Sequence, residues 1–176
     1  MTARIGCAVL AVGGFRRLAG GEPLVRRAAV AARGVANAGC AVIVGDEAGR
    51  VGLTVRDLGL TLLHDDNWQS GLASAIRIAA DWASALDGLL LTVSGQPRVD
   101  AAHLQRLVTG FVAKLAVASF YSGVRALPAL FPQRLFDALS ALEGDVGVSG
   151  VLQREGVVSL VPWPSGQLEV DSPEPC

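Results

Sequence analysis

The chain has 176 residues, slightly more than one typical domain of about 150, and 51% of them are hydrophobic, enough to fill one core. Fifteen lysines and arginines against sixteen aspartates and glutamates leave a formal charge of −1, which gives no basic surplus for a phosphate backbone and argues against nucleic acid as a partner. Mean hydropathy is +0.45, but the longest uncharged run, Gly156 to Leu168, contains Pro162 and Pro164 and is shorter than the roughly 18 residues a membrane span needs.

Ile5 to Val12 is an unbroken apolar run with β-branched members, ended by Gly13 and Gly14, as expected of a strand buried on both faces of a parallel sheet. Pro23 suits a first helical position, and Leu24, Ala28, Val35 and Ala38 follow at close to helical spacing up to Gly39. The unit then repeats. Cys40 to Val44 reads as a strand, Ala48 to Leu58 as a weak helix, and Leu60 to His64 as a strand. Ser70 to Leu86 carries Leu72, Ile76, Ala79, Ala80 and Ala83 on one face, which predicts an amphipathic helix, and Leu89 to Val93 returns as strand.

Asp100 stands where an N-cap belongs before a helix over Ala101 to Val108, and Leu115 to Tyr121 resembles a further buried strand. Gln133 to Leu142 and Val148 to Gln153 read as helical. Val157 to Val161 reads as a strand, Pro162 to Gly166 as a turn, and Leu168 to Val170 as a last short strand. Strands alternating with helices predict one α/β domain over 1–176, a three-layer α/β/α Rossmann-like arrangement with a mostly parallel sheet. In such folds ligands collect beyond the carboxyl ends of the strands.

Cys7, Cys40 and Cys176 share no metal-binding or redox spacing and read as two core thiols and one tail thiol. The opening, Arg4 followed by Ile5 to Val12, could pass for a short signal peptide, yet no small-residue cleavage pattern follows and Arg16 and Arg17 come at once. A cytoplasmic location is expected.

The loop Leu10-Ala11-Val12-Gly13-Gly14-Phe15-Arg16-Arg17 can cradle a triphosphate: glycines let backbone N–H groups approach phosphate, and arginines pair with its oxygens. The same residues also suit a tight strand-to-helix turn with solvated arginines. No Lys-Ser or Lys-Thr follows, so this is not a Walker loop, and the ordered G-x-G-x-x-G of dinucleotide oxidoreductases is missing. Ser94 and Thr92 lack a matching His and acid, which leaves nucleophilic hydrolysis without support.

This opening resembles the L-A-A-G-x-S-x-R of the MobA-like NTP transferases, the molybdenum-cofactor nucleotidyltransferases. Asn67, Trp68, Gly71 and Ser74 are similar to the family's N-x-x-W-x-x-G-x-x-x-S, with Trp68 directly after Asn67 as in its cytidylyltransferase-like branch. Gly95-Gln96-Pro97-Arg98-Val99 resembles D-Q-P-x-V. Tyr121, Gly123, Ala126-Leu127-Pro128 and Leu130-Phe131 follow the pattern of Tyr, Gly, Gly-His-Pro and Leu-Phe. Gly144-Asp145-Val146-Gly147 matches G-D-x-G, and Glu169-Val170-Asp171-Ser172-Pro173-Glu174 looks like the closing D-x-D-T-P-E. The resemblance runs in order along nearly the whole chain.

It implies binding of CTP or GTP and transfer of the nucleotidyl group to a phosphorylated acceptor such as molybdopterin, with magnesium held by carboxylates. On this reading Arg16 and Arg17 supply the catalytic charge. Leu10, Ala11, Gly13, Gly14, Asn67, Ser74, Gly95 and Gln96 contact the nucleotide, and Asp171 with Glu169 are the remaining metal ligands. Two apart in an extended segment, those acids would share a face, although acids beside prolines also suit a solvated tail.

The departures mark a degenerate member. The family's metal aspartate falls at Gly95, its phosphate-binding lysine has no counterpart, its histidine is Leu127, and the chain's single lysine, Lys114, lies far along the sequence. A catalytically inactive nucleotide-binding or assembly protein in molybdoenzyme maturation is therefore the alternative. Among other polar residues, Asp145 is expected to cap the following helix, and His103 is expected on the surface of its amphipathic helix. His64-Asp65-Asp66 suits a solvated strand end better than a metal site. Asn67 can bind ligand or cap the next helix, and Trp68 is expected to pack.

Overall fold

The computed structural model describes residues 2–112 and 114–167. Seven strands form one sheet: β1 (Ile5–Ala11), β2 (Cys40–Val44), β3 (Thr61–His64), β4 (Gly88–Val93), β5 (Ala116–Tyr121), β6 (Val124–Pro132) and β7 (Val158–Pro162). Their order across the sheet is β3-β2-β1-β4-β6-β5-β7. The helices are α1 (Leu24–Val35), α2 (Ala48–Val55), α3 (Leu72–Trp82), α4 (Ala101–Thr109), α5 (Phe136–Ser140) and α6 (Ser149–Arg154). The apolar runs behave as expected of two-sided strands, with every residue of β1 and β2 buried.

Alternation along β1 divides the core in two. Ala8 and Leu10 face a layer with α3, α5 and α6, whereas Cys7, Val9 and Ala11 face the layer holding α1, α2 and α4. Cys7 and Cys40 are neighbours across β1 and β2, both buried as free thiols. Burial pushes both thiols up, Cys40 to about 11.

Strands β1 to β4 are parallel, and β6 is the strand that the sequence reading leaves out. It lies antiparallel between β4 and β5, and β7 then runs parallel to β5. Prolines at 128 and 132 speak against an interior strand, yet β6 keeps them by interrupting its ladder. Ala118 pairs with Ala129 and Ser119 with Ala126, so Leu127 and Pro128, joined by a cis peptide, bulge out of the pairing. The expected strand over Leu168 to Val170, Glu169, Asp171 and the tail thiol Cys176 lie outside the described residues.

Candidate nucleotide cleft

From β1 the chain crosses to β2 and β3 on one side, and β4 lies on the other, so the strand order reverses at β1/β4. At such a switch point the loops leaving the two carboxyl ends part and open a crevice. A cavity of about 250 Å³ occupies it, walled by Leu10, Val12, Gly13, Gly14 and Arg16 from β1 and its loop, by Val93, Ser94 and Gly95 from β4, and by Leu72 of α3. Ser94 N–H donates to the Leu10 carbonyl at 3.1 Å and holds the two strand ends together below it.

The glycine loop is fastened from the neighbouring strand. Glu47, in the β2–α2 loop, accepts the Phe15 N–H at 2.7 Å and the Arg50 guanidinium at 2.6 Å. The Phe15 amide, followed by Arg50, holds the Glu47 carboxyl below its ordinary value. Arg50 also lies 4.2 Å from the Phe15 ring centroid. Gly14 has φ 86°, a left-handed conformation that turns the chain out of β1 and that glycine adopts freely. Sequence reasoning missed Glu47 because its partner is a backbone amide 32 positions away.

The two arginines part company here. Arg16 lines the cavity, whereas Arg17 is exposed and donates to the Gly21 carbonyl at 2.6 Å, closing a small turn in which Arg17 pairs with Pro23 and Leu18 N–H bonds to Glu22. Of the two arginines expected at a triphosphate, the structure thus brings Arg16 to the cavity and sets Arg17 against its own loop. Strand alternation turns Ala11, also expected at the nucleotide, to the opposite core, while Leu10 reaches the cavity wall.

Gly95 lies on the cavity wall where the resemblance expects a carboxylate. A Cβ built there would meet Arg16 Nη1 at 3.6 Å, and one built on Gly13 would meet Arg16 Nη2 at 3.5 Å. The guanidinium is thus seated between the two loops, in space that both glycines leave open.

A second compartment of about 190 Å³ shares Leu72 and Val93 with the first and extends toward β5, β6 and α6. Its described lining carries no charged side chain. Gln96, expected at the nucleotide, forms part of its wall. Its Nε2 donates to Tyr121 Oη at 3.0 Å and to the Leu127 carbonyl at 3.2 Å, tying the β4 loop to β5 and β6.

Asn67, Trp68 and Ser74 do not line the described cavities. Ser74 is buried and its hydroxyl donates to Asp65 Oδ1 at 2.6 Å, where the Asn67 N–H also bonds at 3.0 Å. Asp65 is therefore not solvated as expected: it is 2% exposed and organises the turn between β3 and α3. Asn67 is exposed and makes no side-chain cap. Trp68 packs as expected, over Gly45, whose missing Cβ would stand 2.5 Å from Trp68 Cγ.

Two motifs meet at Gly71. With φ 108° it accepts a conformation side chains disfavour, and a Cβ there would run into Asp145 Oδ1 and the Gly144 carbonyl. Asp145 accordingly packs beside Gly71, and α6 begins without a side-chain cap, which corrects the capping expectation. Lys114 shares a small cavity with Asp87, Pro132 and Arg134 at the amino end of β4, the opposite end from the cleft.

His103 is corrected from surface to core, at 1% exposed. Asp100 caps α4 as expected, accepting the His103 N–H at 2.7 Å. Ser119 Oγ donates its proton to the Pro128 carbonyl at 2.6 Å and so accepts from His103 Nε2 at 2.7 Å, leaving Nδ1 to accept from Arg106 at 3.1 Å. The ring stacks on Trp163 at 4.4 Å. Burial, and then Arg106, lower its pKa to about 4. Apart from Arg106 on α4 itself, the partners come from β5, β6 and the turn after β7, none of which α4's own periodicity reveals.

A divalent cation needs several oxygen ligands. The described residues around the first compartment offer no carboxylate, and they set a guanidinium beside Gly95. No group of three or more metal-ligating side chains occurs among the described residues. The described part of the site therefore does not fit magnesium, and Asp171 and Glu169 lie outside it. No helix among the described residues is long and apolar enough to cross a membrane.

The sheet order, the switch-point cleft and its glycine loop define a nucleotidyltransferase-type α/β fold. The family model for the MobA-like NTP transferase domain matches residues 14–159, and the chain belongs to that family. Among solved structures it is similar to the Mycobacterium tuberculosis Rv0371c homolog from Mycobacterium sp. strain JC1, with TM-score 0.80, 22% identity, and 98% of this chain and 92% of that chain covered. It is similar to Rv0371c of Mycobacterium tuberculosis H37Rv in complex with manganese, with TM-score 0.79, 20% identity and coverage of 97% and 93%. A CMP:2-keto-3-deoxy-manno-octonic acid synthetase complexed with CTP aligns with TM-score 0.70, 13% identity and coverage of 97% and 94%. At these identities the likeness is one of fold. No curated protein matches the chain.

Proposed function

We propose that this chain binds a nucleoside triphosphate, CTP or GTP, in the cleft between the β1 and β4 loops. The carrying observation is the lining of that cleft: Gly13, Gly14 and the Arg16 guanidinium at the switch point, where backbone amides and a fork of donors suit phosphate oxygens. The neighbour complexed with CTP and membership of an NTP transferase family support the same class of ligand. The second compartment continues from the first and is the place for an acceptor. Crystals soaked with CTP or GTP should carry the phosphates against Gly13 and Gly14 and beside Gly95. Density elsewhere, or no binding in solution, overturns the reading.

Within this reading the chain is a nucleotide-binding protein of molybdoenzyme maturation in which transfer to molybdopterin is strongly weakened. Gly95 presents no carboxylate, and Lys114, the chain's one lysine, is at the far end of the sheet. Transfer chemistry depends on charge neutralised around the reacting phosphates, and those two groups are the missing share.

A further inference from the structure

We propose that Glu47 and Arg50, both outside the described lining of the cleft, are its positioning pair: by holding Phe15 they keep Gly13 and Gly14 in the shape that receives phosphate, and so set the affinity for nucleotide. The inference rests on the cleft being the nucleotide site and assigns what shapes that site.

Two successive glycines lose much conformational freedom on ordering, and a loop that visits many shapes offers the binding shape only part of the time, which weakens apparent affinity by that fraction. This loop is pinned on the strand side where the Ser94 N–H meets the Leu10 carbonyl at 3.1 Å, and on the helix side where the Leu24 N–H meets the Arg16 carbonyl at 3.0 Å. Phe15, directly after the glycines, is the third pin and is fixed at two points. Its N–H donates to Glu47 Oε2 at 2.7 Å, and its ring centroid lies 4.2 Å from the Arg50 guanidinium.

The pair is built into the start of α2. Glu47 precedes the helix and Arg50 follows three residues on, so the two side chains meet on one face, Nη1 to Oε1 at 2.6 Å. Glu47 has φ 56°, a conformation disfavoured for a residue with a side chain and kept where its contacts over-determine it. With side chains 30% and 56% exposed, the ion pair contributes little by itself; it acts through the residue it holds. Arg50 also neutralises the carboxylate, so the acceptor behind the loop does not repel a phosphate in front of it. Phe15 stands where the family's opening has serine, which offers no ring for a guanidinium to cover, so the second point of the clamp belongs to this chain's own residue.

The test is calorimetric titration of CTP, GTP and inorganic pyrophosphate into the full chain and its variants in one magnesium-containing buffer. Glu47→Ala should weaken nucleotide binding by about fivefold to tenfold. Glu47→Gln should stay within about twofold of the wild type, because its amide oxygen still accepts the Phe15 N–H. Arg50→Ala should cost about threefold, and the double alanine variant no more than about the loss of Glu47→Ala, since both side chains act through Phe15. Asp57→Ala is the control: it removes the Arg26–Asp57 ion pair just beyond the other end of α2, with side chains 35% and 57% exposed, and should leave affinity within about twofold. By NMR the Phe15 amide proton should be protected from exchange in the wild type and in Glu47→Gln, and unprotected in Glu47→Ala. Circular dichroism checks folding, and if Glu47→Ala does not fold, Arg50→Ala against Asp57→Ala carries the same comparison.

Nucleotide affinity undiminished in folded Glu47→Ala overturns the inference and leaves the nucleotide reading standing. Glu47→Gln as weak as Glu47→Ala, or an equal loss in Asp57→Ala, does the same. Pyrophosphate binding that Glu47→Ala weakens, with neither nucleotide bound, overturns the nucleotide reading and upholds the hold of the pair on a phosphate loop. No binding of any probe overturns both.

Discussion

The cleft at the ends of β1 and β4 and the cluster beneath α4 both place polar side chains in a predominantly apolar fold, but they complete them differently. Beneath α4 the side chains bond to one another in a chain that ends on backbone: Arg106 to His103, His103 to Ser119, Ser119 to the Pro128 carbonyl. At the cleft the loop is fastened from behind by Glu47, while its glycines and the Arg16 guanidinium face a cavity. A polar chain buried in the core contributes to folding, and glycines and a guanidinium that line a switch-point cavity present donors to it. Variants of the cluster should accordingly change stability without changing nucleotide binding, and variants of the cavity wall the reverse.

The largest expected effect tests whether the cleft has kept binding and lost chemistry. Transfer of a nucleotidyl group from CTP or GTP to molybdopterin should run at least about a hundredfold below that of a relative carrying both the D-Q-P aspartate and the lysine, because removing one well-placed electrostatic group costs roughly 2.7–4 kcal/mol in a transition state. Product formation under matched conditions measures it. An equal rate would show that the cleft is completed by groups other than those named here.

Next in size is the acid sensitivity of the cluster. His103 titrates at about 4 in the fold and near 6.5 in the unfolded chain, so between those values the unfolded state binds the extra proton and stability rises with pH. The contribution is complete above about pH 6.5 and is lost as pH falls toward about 4, up to about 3 kcal/mol. Urea unfolding of the wild type across that range should show the loss. His103→Gln should flatten it, and a slope that survives the substitution would assign the acid sensitivity to other groups.

A smaller effect is expected where the loop is fastened. Glu47→Ala removes the acceptor of the Phe15 N–H and the partner of Arg50, and at a half-exposed site this should cost about 1 kcal/mol. The Glu47 carboxyl is held below its ordinary value, so its contribution is present above the usual carboxylate range near pH 4 and is lost as pH falls through the lowered value. Denaturant midpoints at pH 7 and pH 3 check both parts. An unchanged midpoint at pH 7 would show that the glycine loop holds its shape unaided.

The contrast between the regions also explains what the sequence disclosed. Apolar runs such as Ile5 to Val12 and the cap at Asp100 are local signals, and the structure follows them to within a residue or two. The glycine loop and Gly95 were legible as ordered motifs. β6 was not, because Pro128 and Pro132 break the strand pattern and only pairing with β4 and β5 absorbs them. His103, Glu47 and Asp65 were misread or missed for one reason: each is defined by partners from other elements or by burial that packing alone decides. For the adjacent arginines the only local signal, the motif register, pointed to Arg17, whereas the fold puts Arg16 on the cavity wall.

That last pair gives the finest test. Arg17 is exposed, its guanidinium donates to the Gly21 carbonyl, and it lies 5.1 Å from the Phe15 ring, which Arg50 approaches more closely. Solvent replaces an exposed donor at little cost, so Arg17→Ala should change stability by less than about 1 kcal/mol. Nucleotide affinity should change by less than roughly twofold, against the tenfold or more expected for Arg16→Ala. The motif register points the other way, since Arg17 and not Arg16 stands at the position of the family's arginine. Titrating CTP or GTP into both variants decides between register and geometry. An equal loss in the two would mean that the turn from Arg17 to Pro23 opens on binding and brings Arg17 round to the phosphates, and the division between a cavity-facing and a loop-bracing arginine would then hold only for the unliganded chain.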